Sequence, residues 1–163
     1  MTKLSLGVDI GGVIIDRVND ITDTSFFGDN YLQTRAVRGA FEALNLLRRK
    51  FSKNIYLVSK CGMVIQQKTI DWLEFHNIYL QTGIRHCDVY FCRERQEKTI
   101  ICKRFGITHF IDDRLEVLSY LTTVGTRYLF QPRLEEVEEF KHHLPSVKQV
   151  NSWQEILNQE LPE

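Results

Sequence analysis

An aspartate and two glycines, Asp9-Ile10-Gly11-Gly12, close the first apolar run of the chain, and an acidic pair, Asp112-Asp113, closes a later one. Between them Ser59 ends a β-branched and aromatic run, and Lys98 opens a helical pattern. Carboxylates from two strands can hold a hard divalent cation, and Mg²⁺ suits them best, because it binds through one or two carboxylates plus waters and phosphate oxygens. Gly11 and Gly12 let the backbone turn sharply and bring N–H groups close to an anion. A lysine offsets clustered acids, and a hydroxyl with turn amides takes the remaining phosphate oxygens. Each residue alone has a plainer reading: Asp9, Ser59 and Asp112 as turn or helix caps, Lys98 as a solvated helix start. Their joint occurrence at the ends of apolar runs favours a site.

The elements that must position them follow from periodicity. Leu4, Leu6, Val8 and Ile10 suit a buried strand, as do Ile55–Val58, Asp88–Cys92, Thr108–Ile111, Thr126–Phe130 and Val147–Val150. Helical spacing runs over Gly39–Lys50, Val64–His76, Lys98–Phe105, Leu115–Leu121 and Leu134–His143, with Ser152 and Glu155 forming a capping box for a terminal helix. Strands alternating with helices predict an α/β fold, a three-layer doubly wound parallel sheet of Rossmann-like type. In such a sheet the carboxyl ends of the strands share one edge, so Asp9, Ser59, Lys98 and Asp112 can converge there. The polar stretch 17–31, with its apolar pair Phe26 and Phe27, suits a short flap over that edge.

The order of these motifs resembles that of the haloacid dehalogenase-like superfamily of phosphohydrolases, over nearly the whole chain. Asp9 in VDIGGV is similar to the family's first motif, Ser59 in YLVSK to its second, Lys98 to its third, and Asp112-Asp113 in HFIDDR to its fourth. The resemblance implies that Asp9 attacks phosphorus, forming an aspartyl-phosphate that water hydrolyses. It implies Mg²⁺ bound by Asp9, the carbonyl of Gly11 and Asp112, with Asp113 in support. Phosphate would be held by Ser59, the Lys60 amide and the Gly12 turn, and Lys98 would steady nucleophile and transferring group. The short intervals between Asp9, Ser59 and Lys98 leave no room for a large cap, so residues 1–163 are expected to form one capless domain acting on a phosphorylated substrate.

One departure bears on activity. The family's phosphatases place a second aspartate two residues after the nucleophile as general acid and base, and here that residue is Gly11. Two readings stay open: a phosphohydrolase biased toward leaving groups that need little protonation, with Asp16 or the flap lending a proton, or a catalytically silent relative that binds a phosphorylated ligand or protein. A receiver domain uses similar residues but carries its acidic pair first, and here it comes late.

Composition excludes several classes. Lys plus Arg and Asp plus Glu both number 21, so the net charge is zero and nothing marks a nucleic-acid or anionic-membrane binder. No apolar run is long enough to span a bilayer and no signal-like stretch opens the chain, which makes the cytosol the expected compartment. Cys61, Cys87, Cys92 and Cys102 show no CxxC or zinc-like spacing. His86, Cys87 and Cys92 lack a second cluster to complete a metal site, and His76 reads as a packing residue. Arg93, Arg95, Lys103 and Arg104 read as a solvated helix start and face, or else as a basic rim for a bulky substrate.

Overall fold

A computed structural model describes residues 2–17 and 26–163. In chain order the elements are β1 (Leu6–Val8), α1 (Ala40–Phe51), β2 (Ile55–Lys60), α2 (Met63–Phe75), α3 (Ile78–Thr82), β3 (Val89–Cys92), α4 (Lys98–Phe105), β4 (His109–Asp112), α5 (Leu115–Tyr120), β5 (Thr126–Phe130), α6 (Leu134–Glu139), β6 (Lys148–Val150) and α7 (Trp153–Glu160). All strand pairs are parallel, in the order β3-β2-β1-β4-β5-β6. The strand order reverses beside β1, the place where an open α/β sheet forms its crevice.

Two apolar clusters sandwich the sheet. Leu6, Val8, Ile55, Leu57, Ile111, Tyr128 and Phe130 face one side, packed against Ala43, Leu44 and Leu47 of α1, Trp72 and Leu73 of α2, Ile78 of α3 and Trp153 and Ile156 of α7. Tyr56, Val58, Phe110 and Leu129 face the other, against Cys102 of α4 and Leu115 and Leu118 of α5. Alternation along a strand then decides where the polar ends point. Asp112 shares parity with Phe110 and Asp9 with Gly7, so both carboxylates lie on the α4–α5 side. Gly7 is required there, since a Cβ would come within 2.4 Å of the Phe110 ring.

The turn after β1 is fixed from several directions. The Ile10 carbonyl accepts N–H bonds from Val13, Ile14 and Ile15, at 3.3, 2.8 and 3.0 Å, and Val37 N donates to Ile14 O at 2.7 Å. The Trp153 indole donates to Val13 O at 2.9 Å, tying the terminal helix to this turn across the chain. Gly12 has φ +79°, and a Cβ on it would meet the Asp113 carboxylate at 2.6 Å. Both constraints demand glycine.

Two expectations are corrected. The helix over Leu134–His143 stops at Glu139, where Phe140 leaves helical backbone at φ −110° and ψ 20°, and a 3-10 turn containing Pro145 follows over Lys141–Ser146. The capping box is half formed: Ser152 Oγ accepts from Glu155 N, but the Glu155 carboxylate accepts from Asn151 N instead of closing on Ser152. The short helix α3 has no counterpart in the sequence reading. Of the expected flap at 17–31, residues 18–25 lie outside the described residues; Phe26 packs against the core and the Phe27 and Gly28 carbonyls accept from Lys68. Among the described residues no helix is long and apolar enough to cross a membrane.

Candidate active site

The register of β1 against β4 pairs Val8 with Ile111, and Asp9 N donates to Ile111 O at 2.9 Å. One step further along both strands come Asp9 and Asp112, neighbours in space although 103 positions apart. Asp9, Asp112 and Asp113 offer carboxylate oxygens that all lie within 4.8 Å of one another. Lys98 projects from the first turn of α4 between the two strand ends. Its ammonium donates to Asp9 Oδ1 at 3.0 Å and to Asp112 Oδ2 at 2.9 Å, and it lies 5.7 Å from the Phe110 ring centroid. Asp112 Oδ1 accepts from Arg114 N at 3.0 Å, and Asp113 pairs with Arg17 at 3.8 Å.

The electrostatics follow from burial and crowding. Lys98 is 2 % exposed and Asp112 fully enclosed. Burial alone would push the Lys98 ammonium down, but the charges of Asp112 and Asp9, with their hydrogen bonds, outweigh it and hold the group above its ordinary range. Burial raises Asp112 to about 6, with Asp9 adding and Lys98 opposing. Burial also raises Asp113, to about 9, the charges of Asp9 and Asp112 adding and Arg17 opposing. Such a cluster is short of positive charge and rich in hard oxygen donors, so its three carboxylates fit a divalent cation.

Above the acids opens a cavity of about 420 Å³ lined by Asp9, Gly11, Gly12, Ser59, Lys60 and Asp113, among others. Ser59 is buried at the end of β2. Cys61 N donates to Cys92 O on the β3 side, so alternation turns the Lys60 amide toward β1, past its last paired residue. Gly12 contributes its backbone conformation, while its N–H is committed to Ile15 O at 2.9 Å. Gly11 is open, with nothing within 4 Å of a Cβ placed on it. Asp16 lines the same cavity, but its carboxylate faces Arg35 at 3.6 Å.

No family model matches the chain, and no curated protein does either. Among solved structures, a protein of Burkholderia xenovorans LB400 described as a haloacid dehalogenase-like hydrolase matches with a TM-score of 0.65, over 99% of this chain and 99% of that one, at 13% identity. The chain has the haloacid dehalogenase-like fold. At that identity the likeness extends to architecture, and the chemistry rests on the residues above. Of the nine positions singled out in the sequence, Asp9, Gly11, Gly12, Ser59, Lys60, Lys98, Asp112 and Asp113 gather at the carboxyl edge of this fold, while the ninth, Asp16, lines the cavity with its carboxylate toward Arg35.

The sequence reading missed the cationic wall. Arg17, Arg114 and Arg133 line the cavity. Arg114 follows the acidic pair directly, a signal available in principle; Arg17 and Arg133 carried none. The four cations weighed as a basic rim, Arg93, Arg95, Lys103 and Arg104, do not line the cavity. Arg93 donates to Cys61 O and Met63 Sδ, Arg95 pairs with Glu116, and Arg104 lies over Phe105. Cys61, Cys92 and Cys102 are buried thiols, His86 pairs with Glu74, and His76 stacks on Trp72 while its ring bonds Leu32 O.

Proposed function

We propose that the chain is a Mg²⁺-dependent phosphohydrolase of the capless kind, acting on a phosphate monoester through an aspartyl-phosphate on Asp9. The observation that carries this reading is Lys98, buried and shared between Asp112 and Asp9, the latter lining an open cavity. A lysine so placed fixes the rotation of the Asp9 carboxylate and offsets the charge of the clustered acids. Asp9, Asp112 and the Gly11 carbonyl would hold Mg²⁺, which would supply positive charge to the phosphate oxygens. Asp113 supports that grip, and Gly12 keeps Asp113 close by having no side chain. Ser59 and the Lys60 amide receive the remaining phosphate oxygens. Turnover of nitrophenyl phosphate by the purified chain, present with Mg²⁺ and abolished by chelation, tests the reading.

The raised carboxylates set a pH dependence. A carboxylic acid whose folded pKa exceeds its unfolded one holds its proton more tightly in the native state, so the metal-free protein loses stability as pH rises from about 4 toward 9. The cation needs the same groups ionised, so its affinity rises over that window. Melting curves at pH 5 and 8.5 are expected to show a Mg²⁺-induced increase in Tm that is larger at the higher pH. An equal increase at both would remove these carboxylates from the metal grip.

Gly11 favours a second reading, a phosphate-binding domain without turnover, since it removes the usual acid. General acid catalysis contributes about 10²- to 10⁴-fold, so its loss slows a phosphatase without abolishing it. Among the described residues a Cβ placed at Gly11 meets nothing within 4 Å, which leaves room to begin an aspartate side chain. Gly11→Asp is expected to raise turnover of alkyl phosphates by about 10²-fold and of aryl phosphates much less, because only the alkoxide leaving group needs the proton. A uniform change across both classes would remove the missing-acid account.

A further inference from the structure

We infer that the substrate is an organic phosphoanhydride, whose leaving group departs as a phosphate anion received by Arg114 and Arg133. This rests on the phosphohydrolase reading and puts an anhydride in place of its phosphate monoester. The first observation is the supply of cations. Among the described residues, the side chains of Lys60, Arg114 and Arg133 make no ion pair or hydrogen bond, yet all three line the cavity above Asp9. Arg114 and Arg133 are brought together by Glu136, whose two carboxylate oxygens accept from Leu115 N at 2.9 Å and Glu116 N at 2.7 Å. That clamp holds the start of α6 against the start of α5, and each arginine stands just ahead of its helix.

The second observation is that, among the described residues, the carboxyl groups on the cavity wall other than Asp9 are engaged elsewhere. Asp16 faces Arg35, Asp113 faces Arg17, and both oxygens of Glu136 are taken by backbone amides. A leaving group that carries off its own charge suits such a wall. An alkoxide does so poorly, whereas a phosphate does so readily near neutral pH, and guanidinium groups match its oxygens bidentately. Phe26, Phe27 and Ile65 line the same cavity and offer an apolar surface for the organic part.

The chemistry balances without a general acid. An Asp9 oxygen bonds to the terminal phosphorus as the bond from phosphorus to the bridging oxygen breaks. The electron pair goes to that oxygen, which leaves on the organic phosphate. Water then attacks the phosphorus of the aspartyl-phosphate, the Asp9 carboxylate is released, and the water's protons pass to inorganic phosphate and solvent.

The experiment compares adenosine diphosphate, nitrophenyl phosphate and glycerol 2-phosphate as substrates of the native chain, Arg114→Gln and Arg133→Gln. Calorimetry with α,β-methylene adenosine diphosphate and Mg²⁺ supplies a readout that needs no turnover. The native chain is expected to prefer the diphosphate over both esters. Each arginine variant is expected to lower kcat/KM for the diphosphate about 10- to 100-fold more than for nitrophenyl phosphate, and to weaken the analogue about 10-fold or more. Asp9-dependent turnover of nitrophenyl phosphate with no preference for the diphosphate, or with equal losses on both substrates, overturns the inference and leaves the phosphohydrolase standing. Arginine-dependent binding of the analogue with no substrate turned over upholds the anion subsite and overturns the phosphohydrolase. No binding of the analogue overturns the inference outright.

Discussion

Asp9→Asn is expected to abolish turnover of nitrophenyl phosphate, by at least about 10⁴-fold, as removal of a covalent nucleophile does elsewhere. The amide is nearly isosteric with the carboxylate, and its oxygen still accepts from Lys98, so the fold should survive. Stability should in fact improve without metal. Asp9 raises the proton affinity of both Asp112 and Asp113 through like charge, and removing that charge relieves the crowding. The variant should therefore combine lost activity, a higher metal-free Tm and a smaller rise in Tm on adding Mg²⁺. A merely structural Asp9 would give the reverse, a lower Tm with no specific loss of turnover. Equal rates for variant and native chain would mean that the activity belongs to something else.

Much of this arrangement was legible because parallel strands buried on both faces read as apolar runs, and what interrupts such a run must face an edge or a turn. Asp9, Ser59 and Asp112 are legible for that reason, and Lys98 because it opens the helix that follows a strand. What stayed hidden depends on contacts that periodicity does not encode. The helix Ile78–Thr82 is too short to show a period, and it is bounded by Asn77 and Gly83 in left-handed conformation at φ 59° and 75°. Asn77 and Gly83 were its available signal. Arg17 reaches Asp113 and the Gln131 carbonyl, and Glu136 reaches the start of α5, through tertiary folding alone. The cationic wall is therefore a product of the sheet order, which brings the loops after β1, β4 and β5 to one side of the acids.

Lys98→Met is expected to separate what the lysine does for the fold from what it does for the chemistry. Methionine fills a similar volume, so the change removes a charge and its two hydrogen bonds with little loss of packing. Asp112 is left enclosed with no ammonium beside it, and breaking a buried pair by removing one partner costs about 3–5 kcal/mol. In a chain of this size each kcal/mol moves Tm by about 2–4 °C, so the metal-free variant should melt about 6–20 °C lower. The loss should depend on pH. Without the lysine, Asp112 ionises less readily still, and at pH 5 it can escape the penalty by taking up a proton. At pH 8 holding it protonated costs more, and the deficit should be larger. Mg²⁺ should recover part of it by supplying the missing positive charge, while turnover stays down by about 10²- to 10³-fold because the cation does not replace the donor on the Asp9 oxygen. Lys60→Met, at an exposed position on the same cavity, should change stability by no more than about 0.5 kcal/mol. If Lys98→Met melts within a degree or two of the native chain without metal at pH 8, the ammonium is not what holds the opposed carboxylates together.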